Sequence, residues 1–136
     1  MAIRCNYLVM CEHVVIARDN KASLIDIVNN VGLQSLPGVL FAWVMASVSG
    51  NAGESFRLVI DGPDGSRIVD SDPQTIDETP VDSPPEAIMA TTGGMKLSPV
   101  IFNTVGLYRL VLLDGQSNEV SSLPFSVFLR PSNGGD

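Results

Sequence analysis

Apolar and polar residues alternate with a period of two in several short stretches of this chain, and turn-forming residues separate the stretches. In the clearest stretch, Phe56, Leu58 and Ile60 stand at every second position between mostly polar neighbours. A period of two places successive side chains on opposite faces of a β-strand, so these three are expected to face inward. Turn signals recur about every ten residues, and no stretch has a convincing helical pattern. The chain is therefore predicted to be all-β, an antiparallel β-sandwich of about seven to nine strands.

The first thirty residues predict a long β-hairpin. Residues 3–17 and 23–31 are rich in strand-forming apolar side chains, and turn-forming residues at 18–21 separate them. Such a first strand should be covered on both sides or lie centrally in a sheet, because both of its faces are apolar. One face carries Cys5, Tyr7, Val9, Cys11 and Val15, and the other carries Leu8, Met10, Val14 and Ile16.

Residues 39–48 could form either a strand or a helix, because Leu, Ala and Met also favour helices. We predict a strand, since Pro37 and Gly38 precede the stretch, Gly50 follows it, and no capping residue opens it. Its two faces would then carry Phe41, Trp43 and Met45 and, opposite them, Leu40, Ala42, Val44 and Ala46.

The last third of the chain predicts further strands. One or two are expected around Gly93 and Gly94, within 86–92 and 96–102, and two more at 107–113 and 120–129. Pro124 cannot donate a hydrogen bond to a neighbouring strand, so the final strand should lie at an edge or contain a bulge.

Tyr108 supports a particular kind of sandwich. The sequence Gly106-Leu107-Tyr108 resembles the tyrosine corner of immunoglobulin-like sandwiches, in which the hydroxyl bonds to upstream backbone. The Cys–Trp–Cys spacing of true immunoglobulin domains is absent. The prediction is therefore an immunoglobulin-like or C2-like sandwich.

The length of 136 residues predicts a single domain over residues 1–130, followed by a disordered tail at 131–136. Acidic residues are concentrated in one part of it. Eight acids and one base lie between Asp61 and Glu86, whereas the rest of the chain has seven of each. Residues 70–85 contain four of the nine prolines and are predicted to form an acidic surface loop.

Composition argues against several classes of partner and location. A net charge of −7 with scattered basic residues argues against binding nucleic acid. The longest apolar run, 39–46, is shorter than the roughly 18 residues that a membrane-spanning helix needs. The N-terminal residues lack the basic front and long apolar run of a secretory signal, so the protein is predicted to be cytoplasmic.

Cys5 and Cys11 would lie about 20 Å apart in one strand, too far for a disulfide, and are predicted to be reduced.

A calcium site is the sharpest chemical hypothesis that the acidic stretch offers. Calcium binds six to eight oxygens from carboxylates and backbone carbonyls in loops. The sequence Ser71-Asp72-Pro73 is similar to a motif of calcium-binding C2 domains, although Gln74 replaces the aromatic residue that normally follows. The alternative is a solvated loop whose charges keep it extended. The candidate ligands, expected to meet at one end of the sandwich, are Asp61, Asp64, Asp70, Asp72 and Asp77.

Catalytic chemistry is not favoured by the sequence. His13 is the only histidine and shares a strand face with Cys11, but zinc needs three or four protein ligands. The nucleophile-elbow, dinucleotide-binding and P-loop motifs are absent. A hydrolase would have to use His13 in the middle of a strand that is predicted to be covered. We therefore expect no enzyme, no catalytic residues and no cofactor other than calcium.

Several short motifs resemble a family of short bacterial β-sandwich proteins known only as a domain of unknown function. They are Asn6-Tyr7 with Cys11-Glu12, the run Lys21-Ala22-Ser23-Leu24-Ile25-Asp26-Ile27, Leu36-Pro37, Gly106-Leu107-Tyr108 and Leu123-Pro124-Phe125. The resemblance implies a bacterial origin and a compact sandwich, and it carries no activity, ligand or catalytic residue.

The function predicted from the sequence is thus a non-catalytic protein-interaction or structural module. A calcium-binding C2-like module is the alternative, and a hydrolase ranks third. Strands that are apolar on both faces leave surface that a second subunit could cover, so a protein partner or a homo-oligomer is expected.

Overall fold

A computed structural model of the chain describes residues 3–16, 22–51, 53–76 and 90–130, with the backbone alone at 16, 22–26 and 90–99. These residues form ten β-strands and no helix. The strands are β1 (Arg4–Ile16), β2 (Ala22–Ile27), β3 (Val31–Leu33), β4 (Gly38–Ser49), β5 (Ser55–Asp61), β6 (Arg67–Asp70), β7 (Gln74–Thr75), β8 (Ala90–Phe102), β9 (Gly106–Asp114) and β10 (Glu119–Leu129). None of the described segments is a helix of the length and apolar character that crossing a membrane requires.

The strands form two sheets that pack face to face. Sheet A has four strands in the order β2-β1-β4-β8, and all of its neighbours are antiparallel. Sheet B has six strands, in the order β3-β10-β9-β5-β6, with β7 pairing beside β6 along β5. The predicted all-β sandwich is confirmed, with one exception to antiparallel pairing: β3 runs parallel to β10. The predicted hairpin is also confirmed for β1 and β2, whereas its turn at 18–21 lies outside the described residues.

The core lies between the sheets and follows the predicted alternation. Phe56, Leu58 and Ile60 are buried there, as predicted. On β4 the even-numbered Ala42, Val44, Ala46 and Val48 face the same core. The strand prediction for 39–48 is therefore confirmed, and Phe41, Trp43 and Met45 lie on the other face of sheet A.

A β-bulge at Asn6 corrects the predicted faces of β1. Cys5 is in register with Val48, but Tyr7 is in register with Ser47, so β1 contains one extra residue between these pairs. An extra residue inverts the alternation. Cys5 consequently packs against the core, whereas Tyr7 lies on the outer face, and the prediction that both share one face was wrong.

The single strand β8 spans the two stretches predicted around Gly93 and Gly94; residues 86–89 lie outside the described residues. In β8, Val100 pairs with Leu40 and Leu97 pairs with Ala42, so two residues, including Pro99, stand opposite one on β4. A bulge is one of the few places in a sheet where a proline causes little disruption.

Residues 70–85 were predicted to form a surface loop, but part of the described segment, 74–76, is held to sheet B. Gln74 and Thr75 pair with β5, and Ile76 is buried in the core at 1% exposure. The backbone N–H of Ile76 donates to the carbonyl of Glu54 over 2.8 Å. Burial of one apolar side chain thus holds residues 74–76 to sheet B, and residues 77–85 lie outside the described residues.

The final strand bears out the prediction about Pro124. At Pro124, β10 pairs only with β9, because β3 reaches only Val127–Leu129. The N–H of Ser126 points away from β9 and donates to Asn30 Oδ1. Pro124 is two residues earlier, so its nitrogen points the same way, toward the open edge, where a missing donor costs no sheet hydrogen bond. The tail at 131–136 lies outside the described residues.

Candidate functional site

The outer face of sheet A is apolar across its central strands. Cys11 of β1 stands in register with Trp43 of β4 and with Ile27 of β2, and Val9 stands in register with Met45. Residues in register share a sheet face, so these side chains form a continuous surface. We call this surface the apolar face; its residues are Tyr7, Val9, Cys11, Val15, Ile27, Val39, Phe41, Trp43, Met45 and Ile101.

The apolar face is only partly covered. Cys11 and Met45 are buried within it, and Trp43 is half-buried. Around them, Phe41 exposes 64% of its surface, Ile27 56% and Ile101 53%. Large apolar side chains are seldom exposed side by side on a protein that works alone, and such a patch typically marks a binding surface.

One end of the apolar face is polar and internally hydrogen-bonded. Asn6 Nδ2 donates to Ser47 Oγ over 3.2 Å and to Ser49 Oγ over 2.7 Å. Both serines are buried, so the amide satisfies hydroxyl groups that would otherwise lack partners. The bulge at Asn6 makes this arrangement possible, because it turns the amide toward β4.

The outer face of sheet B is different in character. Val59, Val111 and Leu113 form a small cluster there, and all three are buried. Charged side chains lie beside it: Arg57 Nε is 3.1 Å from Asp70 Oδ1, and Arg57 Nη1 donates to Ser117 Oγ over 2.9 Å. Arg109 pairs with Glu119 on the same sheet. Sheet B also exposes Leu107, Phe128 and Leu129 near one end of β9 and β10, whereas the exposed apolar residues of sheet A extend across β1, β2, β4 and β8.

Three calcium candidates, Asp61, Asp64 and Asp70, lie on β5, on β6 and in the turn between them, and each accepts a hydrogen bond from a protein group. Asp61 accepts from Arg67 Nε over 2.9 Å, and Asp70 accepts from Arg57 Nε. Asp64 Oδ1 accepts from the backbone N–H and the hydroxyl of Ser66, and these hydrogen bonds lower the pKa of Asp64. Asp72 is exposed, and Asp77 lies outside the described residues.

No three of these carboxylates meet: the described part of the chain contains no group of three or more His, Cys, Asp or Glu side chains placed to hold a metal ion. The sequence shows where these carboxylates stand along the chain, but it could not predict that Arg57 and Arg67 pair with two of them.

His13 and the two cysteines are not arranged for catalysis. His13 is exposed, contrary to the covered position expected for it, while Cys11 on the same face is fully buried. Both cysteines are free thiols, as predicted. Burial raises the pKa of Cys5 and of Cys11, so both thiols stay protonated and weakly nucleophilic at neutral pH.

The grooves found on the described surface are open, and two of the three are lined mainly by polar groups. One groove, with a volume of about 660 Å³, lies between the loop at 53–55 and the turn at 114–118. Its two carboxylates are used locally, since Glu54 accepts from the N–H of Asn51 and Asp114 accepts from the N–H groups of Gln116 and Asn118. Because each carboxylate accepts hydrogen bonds from its own loop or turn, the two do not form an acid–base pair.

The sequence predicted parts of the apolar face, on β1 and β4, but it assigned no face to Ile27, Val39 or Ile101 and did not show which residues are exposed. The signal was the second apolar stripe on β4, formed by Phe41, Trp43 and Met45, on a strand whose other stripe already fills the core. A scan of protein-family models and a search of curated proteins found nothing that matches this chain.

Proposed function

We propose that this protein is a non-catalytic interaction module that binds a protein partner through the apolar face. The observation that carries the proposal is that Phe41, Ile27 and Ile101 each expose more than half of their surface on one side of the sandwich. Burying such area is the main favourable contribution to most protein–protein association. A cytoplasmic location belongs to the proposal and agrees with the two free cysteines.

The type of sandwich we propose is immunoglobulin-like rather than C2-like. The hydrogen bond from the Tyr108 hydroxyl to the carbonyl of Thr104 supports it. The engagement of Asp61 and Asp70 with arginines gives the C2-like calcium alternative less support. The resemblance to an uncharacterised bacterial family adds no activity.

A non-catalytic role fits the chemistry of the described side chains. The single histidine, His13, is exposed in the middle of a strand, and the two thiols have raised pKa values. A hydrolase of the Ser–His or Cys–His kind needs a base beside an activated nucleophile. The surface chemistry supports binding better than bond cleavage.

Affinity capture with matched variants tests the proposal. The tagged protein, its Phe41→Glu variant and its Leu107→Glu variant are each used as bait in an extract of the cells of origin. Leu107 is the matched control, because it exposes 58% of its surface on sheet B. We expect a partner that wild type and Leu107→Glu retain and that Phe41→Glu loses. Retention of every captured protein by Phe41→Glu would contradict binding through the apolar face.

A further inference from the structure

We propose that the partner is a second copy of this chain, so that the protein is a dimer whose two apolar faces pack against each other about a two-fold axis. The inference rests on the proposed function, and it names the occupant of the same surface. Two observations support it: the size of the exposed apolar area and the absence of acidic side chains from the described part of that face.

The exposed apolar area fits the interface of a dimer. Six large side chains of the apolar face are each more than one-third exposed: Tyr7, Val15, Ile27, Val39, Phe41 and Ile101. At about 150–200 Å² for each whole side chain, they expose on the order of 500 Å² of apolar surface. A standard interface buries about 800 Å² per partner, roughly 65% of it apolar in homodimers, which is also about 500 Å².

The charge distribution favours a second copy as well. The chain has a net charge of −7, so two copies repel each other, and they do so least when their contact surfaces lack acids. Among the described side chains, none on the apolar face is acidic. Glu12 of β1 and Asp26 of β2 stand at the positions between the outward-facing ones, and the other described acids belong to sheet B or its loops. Packing two apolar faces together therefore keeps the described acids of sheet B out of the centre of the contact.

Basic residues mark the limits of the apolar face. Arg4 is exposed and stands in register with Ser49 at the polar end, and Lys96 stands in register with Trp43 on edge strand β8. Between these limits Val9, Cys11, Ile27, Trp43 and Met45 carry no charge, and His13 lies on the same face between Cys11 and Val15. In a two-fold interface the uncharged centre of one copy meets the uncharged centre of the other, and the charges lie at the rim.

Trp43 reports directly on this surface. It is the only tryptophan of the chain and lies half-buried in the middle of the apolar face. Contact with a second copy would remove it from water. Its emission maximum should therefore move to shorter wavelength as the protein concentration rises, and acrylamide should quench it less.

The experiment measures mass and Trp43 fluorescence across a concentration series of the full chain. We expect light scattering to give about twice the monomer mass of 14.5 kDa, together with the fluorescence change. Phe41→Glu should weaken the association by roughly a hundredfold or more, because the two-fold interface buries the new charge twice. Leu107→Glu should leave it unchanged. Ile101→Glu is a second disruptive variant, at a site that is also exposed in the monomer, and circular dichroism checks that each variant folds.

Two results overturn the inference. One is a monomer at all concentrations with Trp43 open to acrylamide. The other is a dimer that neither Phe41→Glu nor Ile101→Glu weakens, which would place the contact at a sheet edge or on sheet B. A monomer from which Phe41→Glu still removes a captured partner refutes the dimer alone. A monomer whose captured proteins are the same for Phe41→Glu refutes the proposed function too.

Discussion

The hydroxyl of Tyr108 donates a hydrogen bond to the backbone carbonyl of Thr104 over 2.8 Å, and the hydroxyl of Thr104 lies 3.1 Å from the same oxygen. The Tyr108 ring is 2% exposed. It meets Phe102 edge-on with centroids 5.0 Å apart and stacks on Phe125 at 5.7 Å. One side chain therefore anchors the β8–β9 connection to the core, as Gly106-Leu107-Tyr108 predicted.

Removing the Tyr108 hydroxyl should destabilise the protein while keeping its fold. Tyr108→Phe preserves the aromatic packing but deprives the part-buried Thr104 carbonyl of its donor. We expect the free energy of unfolding to fall by about 1–2 kcal/mol. Tyr7→Phe is the matched control, since Tyr7 is the other tyrosine and is 37% exposed. Equal losses in the two variants, measured by urea unfolding, would contradict a special role for this hydroxyl.

Gly106 should be intolerant of any side chain. Its φ is +142°, and an added Cβ would lie 2.7 Å from Cγ of Pro63. Gly65 also has a positive φ, +84°, but an added Cβ there meets nothing within 4 Å. We expect Gly106→Ala to cost about 3 kcal/mol of stability and Gly65→Ala about 1 kcal/mol.

A double variant separates backbone strain from the steric contact at Gly106. Adding Pro63→Ala to Gly106→Ala removes the nearest carbon and should restore part of the stability, measured relative to Pro63→Ala alone. No recovery would assign the whole cost to the backbone conformation.

Ile76 should act as the anchor of β7. Ile76→Ala removes a side chain that is 1% exposed in the core, so we expect a loss of about 2–4 kcal/mol. Thr75→Ala, at an exposed neighbouring position, should change stability by less than about 0.5 kcal/mol. The measurement is the urea midpoint of each variant. Similar midpoints for the two variants would mean that Ile76 contributes little to the core.

The residues that could be predicted are those in long alternating stretches. Phe56, Leu58 and Ile60 follow a period of two through a whole strand, and the same pattern distinguishes the strand β4 from a helix. Each buried position in such a stretch supports the next, so an error at one residue does not change the interpretation. Tyr108 could be predicted because its bond partner is only four residues away.

The features that were missed depend on single residues or on distant partners. Ile76 is one apolar residue after a strand of two residues, too short for any period. The bulge at Asn6 is hidden because β1 is apolar on both faces. Ser126 donates to Asn30 across 96 residues, and Asp70 pairs with Arg57 from another strand. Pairings of this kind depend on how the strands are arranged, which local sequence does not specify.

Calcium should leave the stability of the protein unchanged. A calcium site formed by these carboxylates would have to release Asp61 from Arg67 and Asp70 from Arg57. A ligand that binds only the native state raises the melting midpoint, so the comparison is a melting curve with and without millimolar calcium. We expect equal midpoints. A rise that Asp61→Asn or Asp77→Asn abolishes would restore the C2-like hypothesis.

Asp114 should give the protein a pH-dependent part of its stability. Its Oδ1 accepts from the N–H groups of Asn118 and Gln116, each over 2.9 Å, and these hydrogen bonds lower its pKa in the folded state. Folding therefore favours the ionised form. The stabilisation is present above the unfolded pKa, about 3.9, and is lost as the pH falls through the lower, folded pKa.

Asp114→Asn keeps an oxygen acceptor but cannot ionise. The urea midpoint of this variant should lie below that of wild type at neutral pH, and the two midpoints should converge as the pH falls through the folded pKa of Asp114. A difference that stays constant from pH 7 to about pH 2 would show that the carboxylate charge plays no part in holding this turn.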